Sequence, residues 1–133
     1  MAATTVIAAG GMLGTATSAS ATVDPPSDGW DHTWYTTDGH GRVQVEEYGD
    51  LIDLCDMNAD GKYPEAVINA FDGLGEIIDS FTLDAKGGSG SCAVSSASQG
   101  GVHNIPEGTT VDVSIWLMSG KTNENVGEYI NDH

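Results

Sequence analysis

The chain has 133 residues, with 20 acidic side chains against four basic ones and a formal net charge of −16 at neutral pH. That balance argues against a nucleic-acid partner, because phosphate recognition needs clustered Lys and Arg, and it opposes adsorption to an anionic membrane. An apolar fraction of 39% argues against disorder and suffices for one small domain.

Residues 1–21 carry no charge, have a mildly apolar centre over positions 6–13 and close on Ala19-Ser20-Ala21. Small side chains at such spacing are what a signal peptidase accepts, so the segment reads as a signal peptide with Thr22 as the first mature residue. The positive stretch that normally opens such a segment is missing; the first basic residue is Arg42. Its Gly, Ala, Ser and Thr content argues against a transmembrane span. The expected location is therefore extracellular.

Residues 22–29 (TVDPPSDG) are polar and interrupted by proline, and read as an extended arm ahead of a domain over 30–133. The arm leads straight into Trp30, Trp34 and Tyr35. Large amphipathic rings are favoured anchors at interfaces, so these three, with Trp116 further on, are the candidate partner-binding residues. The arm itself is a candidate docking element, able to lie along a partner's sheet edge.

From here the chain is punctuated by Gly, Asp and Asn at intervals of about ten residues, the rhythm of a sandwich or barrel. Strands are expected near 31–37, 42–48, 51–57, 62–71, 76–84, 92–98, 110–118 and 124–130. Val43 and Val45 alternate with polar neighbours. So do Val111, Val113, Ile115 and Leu117, with Asp112, Ser114, Trp116 and Met118 on the opposite face. The 62–71 segment also has helical spacings, but strand is preferred. Adjacent Ile77 and Ile78 call for a bulge or an outward-facing isoleucine. The fold class expected is all-β: an Ig-like antiparallel sandwich.

Cys55 and Cys92 are the two cysteines of a chain that reads as secreted and are expected to pair. Closing a loop of that length stabilises a domain by roughly 3–4 kcal/mol in the chain-entropy picture. A Cys nucleophile would need a His base, and His32, His40, His103 and His133 lie in no cysteine-protease context. Asp56, Asn58, Asp60 and Gly61 match the first half of a calcium loop. The twelfth position is Val67, where a bidentate Glu belongs, so an Asx-type turn is the expected reading and no metal is expected. Paired carboxylates (Glu46 and Glu47, Asp50 and Asp53, with Asp84 further on) carry no glycosidase signal in a chain this acidic. The histidines lack zinc spacing, and Ser91, Ser95, Ser96 and Ser98 sit in no nucleophile elbow. Gly87-Gly88-Ser89-Gly90 lacks the Gly-Lys-Ser/Thr ending of a phosphate loop.

The stretch Gly49-Asp50-Leu51-Ile52-Asp53-Leu54-Cys55-Asp56, followed by Ala59-Asp60-Gly61, resembles the small secreted, disulfide-bonded β-domains of actinomycetes. In size and layout the mature chain is also similar to the adaptor subunit of secreted umbrella-shaped toxin particles. That resemblance implies a subunit without enzyme activity that bridges a large repeat-containing scaffold and a lectin-bearing subunit.

The expectation from sequence is thus a secreted, non-catalytic protein-binding adaptor or assembly subunit without a cofactor, whose partner carries a basic surface. Two other classes remain open. One is a hydrolase inhibitor presenting the loop over 100–108. The other is a carbohydrate-binding module using Trp30, Trp34 or Trp116 as stacking platforms.

Overall fold

In the computed structural model, which describes residues 29–118 and 120–132, the chain forms eight strands in two four-stranded sheets. The expected leader and arm residues 22–28 lie outside the described residues. One sheet holds β1 (His32–Tyr35), β2 (Gly41–Glu46), β3 (Leu51–Asp56) and β6 (Cys92–Ser95), in the order β1-β2-β3-β6. The other holds β4 (Tyr63–Phe71), β5 (Ile77–Asp84), β7 (Thr110–Met118) and β8 (Thr122–Ile130), in the order β5-β4-β7-β8. Every pairing is antiparallel. This is the Ig-like β-sandwich expected from the residue pattern.

Alternation builds the core. Val43, Val45, Ile52 and Leu54 of the first sheet face Ala66, Ile68, Val111, Val113 and Ile115 of the second, and all are essentially inaccessible to solvent. Burying each aliphatic side chain stabilises the fold by about 1.5–3 kcal/mol relative to exposure. The 62–71 segment is a central strand, bonded to β5 on one side and β7 on the other, and its residues alternate inward and outward along their whole length. Two-sided backbone pairing is what a helix there would forfeit. At the start of β5, Ala70 pairs with Asp79 but Phe71 pairs with Ile77, so Ile78 is an extra residue. Both isoleucines are left exposed. The strand expected over 92–98 stops at Ser95. Its continuation is captured by a turn: the Ser96 N–H donates to Gln99 Oε1 at 2.7 Å, and two single-turn 3-10 segments follow, Ala97–Gln99 and Gly101–His103.

Cys55 and Cys92 form the disulfide. They are directly opposed on neighbouring strands of one sheet, with Cα atoms 4.1 Å apart. Leu54 points into the core, so the bridge lies on the outer face. There Arg42 Nη2 is 3.4 Å and Asp53 Oδ2 3.3 Å from Cys55 Sγ. Asp53 is 2% exposed, and burial pushes its carboxyl up to about 6 despite the nearby Arg42 guanidinium.

The chain's last described residues are tied down. Asn131, fully buried, donates through Nδ2 to Asp50 Oδ1 and to the Ile105 carbonyl, both at 3.0 Å. Asp50 in turn accepts the Ile105 N–H at 2.9 Å. These bonds join the turn before β3, the loop before β7 and the segment after β8.

Candidate interaction surface

The four aromatic candidates occupy different environments. Trp34 stacks with Tyr129, ring centroids 6.3 Å apart, and with His32, at 5.5 Å. It also packs on the core and lies against Gly127 of β8, so the indole closes the edge of the sandwich between β1 and β8. Trp116 does point away from the core, as the alternation required. The residue is nonetheless only 7% exposed, with Lys121 Nζ 4.4 Å from its ring centroid and Glu65 as its cross-strand neighbour. Trp34 is thus partly buried at this edge and Trp116 is buried, so neither is a fully exposed ring. Trp30 is half-buried and Tyr35 is exposed. Tyr35 lies on the outer face of the first sheet, opposite Arg42.

The residues of the incomplete calcium loop form two consecutive Asx turns. Asp56 Oδ1 accepts the Asn58 N–H at 3.1 Å, and Asp60 Oδ1 accepts the Lys62 N–H at 2.9 Å. The second Asp60 oxygen is 3.0 Å from His40 Nδ1. Beside these turns, Asn58, Lys62, Tyr63, Lys86 and Ser89 line a cleft of about 380 Å³. Among the described residues, the group of potential metal ligands that does converge is Asp53, Cys55 and Cys92, and its sulfurs are oxidised to the disulfide. That bridge also removes the Cys-nucleophile alternative.

Two pairings escaped the reading of the sequence because turns create them. Ser95 Oγ lies 2.8 Å from His103 Nδ1, brought together by the two 3-10 segments. Ser95 is inaccessible to solvent and His103 packs on Phe81, so the bond ties the end of β6 to the second 3-10 segment. His32 Nε2 is 2.6 Å from Glu47 Oε2, which joins β1 to the turn after β2.

The outer face of the second sheet carries exposed apolar side chains on paired strands. Side chains there stand in rows set by the pairing register. One row runs Ile77, Phe71, Thr110, Ile130 from β5 to β8. The next runs Ser80, Asn69, Asp112, Glu128, and the third Thr82, Val67, Ser114, Val126. Ile77, Ile130 and Val126 are 56%, 60% and 55% exposed. Between the apolar rows, Asp112 and Glu128 are direct cross-strand partners. A hydrogen bond shared with the Asp112 carboxyl, together with that group's charge, holds Glu128 above the usual carboxylate range. Like charges in that relation repel. A second such pair on this face, Glu65 and Asp84, has Lys86 beside it, 3.8 Å from Asp84. None of the four basic residues lines the shallow groove of about 420 Å³ around Phe71, Thr110, Asp112 and Glu128.

The fold and surface define a class: a disulfide-linked antiparallel β-sandwich with one acid-centred sheet face whose apolar side chains are exposed among the described residues. No family model, curated protein or solved structure matches the chain.

Proposed function

We propose that the protein is a secreted, non-catalytic protein-binding domain, an adaptor or assembly subunit that docks through the outer face of its second sheet. The observation that carries this reading is the exposed Ile77, Val126 and Ile130 set on a rigid, hydrogen-bonded sheet. β-Branched apolar side chains held at fixed spacing on a flat face lose little entropy on burial, which suits them to an interface. The disulfide is compatible with an extracellular location, since such bonds persist in oxidising compartments. The buried Trp116, with Lys121 against its ring, favours a protein partner over a sugar at that position, because a stacking platform needs a free indole face. Whether the assembly is a toxin particle, as the resemblance in sequence suggests, is part of the same proposal.

A pull-down from culture supernatant tests it. The wild-type chain should copurify in fixed ratio with a large secreted protein. The double variant Val126→Asn/Ile130→Asn should fold, keep its disulfide and lose that protein. Equal recovery by both chains would remove the second sheet from the interface. Selective capture of an active protease would favour an inhibitor, and retention on a polysaccharide resin a carbohydrate module.

A further inference from the structure

The same face also indicates the chemistry of what covers it, an inference that rests on the protein-binding reading above. Along β8, Val126, Glu128 and Ile130 alternate apolar, acidic, apolar at a spacing of two residues, and Asp112 on β7 doubles the acid at the centre. Phe71 and Ile77 extend the upper apolar row across the sheet. The strip is therefore apolar on two sides of a paired negative centre that no basic side chain of the groove neutralises.

We propose that this face docks a strand-like segment of a basic partner protein. A Lys or Arg of that segment lies over Asp112 and Glu128, and apolar residues two positions to either side pack on Val126 and Ile130. Side chains of an extended strand recur on one face about every 6.6–6.8 Å, the same repeat as these three β8 positions. A cation there relieves the like-charge pair and gains charge-assisted hydrogen bonds from both carboxylates. Competing occupants fit less well. A second copy, related by the usual two-fold axis, brings an acid-centred face of a chain with net charge −16 against its own kind. Nucleic acid and anionic lipid are repelled by the same charge.

The probe is a set of synthetic peptides of pattern Val-Thr-Lys-Thr-Val, in blocked form, with Glu or norleucine in place of the Lys. They are titrated into the ¹⁵N-labelled protein at low and high salt. The Lys peptide should give saturable shifts centred on the amides of Asp112, Val126, Glu128 and Ile130. Its affinity should fall at least tenfold in Asp112→Asn/Glu128→Gln, a variant whose remaining spectrum should be unchanged. The Glu peptide should not bind, and the norleucine peptide should bind weakly and without salt dependence. If all three peptides shift these amides equally, the face binds apolar strands and the inference of a cation fails, while the protein-binding reading stands. If no peptide shifts them and Val126→Asn/Ile130→Asn also leaves partner capture intact, both fail. Concentration-dependent shifts of these amides without peptide would instead make the face a self-association surface and overturn the proposal.

Discussion

The Trp34 indole lies directly against the backbone of Gly127: a Cβ placed on Gly127 would sit 1.9 Å from Trp34 Cε2 and 2.2 Å from Nε1. The glycine is thus a space requirement of the ring rather than a turn device. Gly127→Ala must displace either the indole, with its stacks on His32 and Tyr129, or strand β8. Chemical denaturation should show a loss of about 1–3 kcal/mol, the usual range for overpacking. Trp34→Leu should recover part of that loss in the double variant. An alanine variant as stable as wild type would mean that the ring does not lie on Gly127.

Removal of the Asn131 amide should weaken the tie among three separate segments. Asn131→Ala withdraws the donors that serve Asp50 Oδ1 and the Ile105 carbonyl in a fully buried setting. Buried acceptors left without a donor cost about 1–3 kcal/mol each way of counting such deletions. The expected signature in hydrogen exchange is faster exchange at the Ile105 amide, with the amides of β4 and β7 still protected.

Stability should fall as pH rises from about 4 to about 6. Burial raises the Asp53 carboxyl to about 6 from an ordinary value of 3.8, and raises Asp50 and Asp56 as well. Between the unfolded and folded values the native state holds more protons than the unfolded chain, so each increment of pH favours unfolding. Asp53→Asn should flatten the Asp53 part of this profile. It should leave stability little changed below about pH 4 and raise it on the order of 1–2 kcal/mol above about pH 6, once the lost attraction to Arg42 is set against the relieved burial of the charge. Thermal melts across this range, wild type against variant, check the sign.

Calcium should leave the melting temperature unchanged. Asp56 and Asp60 each accept the backbone N–H two residues on, and Asp60 also meets His40. Melts with millimolar calcium and with chelator should agree within error. A rise of many degrees would mean that the two turns open to form a site.

Most of the architecture was legible because backbone pairing and burial write themselves into alternation. Val43 with Val45, and Val111 with Val113 and Ile115, marked inner faces, and the Gly, Asn and Asp clusters marked the connections between strands. Local competition blurred the ends: Gln99 takes the Ser96 N–H and stops β6 early. The candidate interaction surface was far less legible. That Trp116 points outward followed from its position in the strand. That its ring is covered depends on Lys121, beyond a turn, and on Glu65, from another strand. Val126 and Ile130 look like core residues on composition. They face outward because Gly127 and Tyr129 must face inward to meet Trp34, a contact between distant segments.

The bridge between β3 and β6 also sets how the protein bears mechanical load, which matters for any subunit held between two larger bodies. Cys55 and Cys92 are separated by 37 positions in sequence. At about 3.5 Å per residue, that is roughly 130 Å of contour that tension on the chain ends cannot pay out while the sulfurs remain joined. Strands β4 and β5 fall entirely within this shielded loop, whereas β7 and β8 lie outside it. Under force the oxidised chain is therefore a short tether with a locked segment, and reduction converts it into a long one.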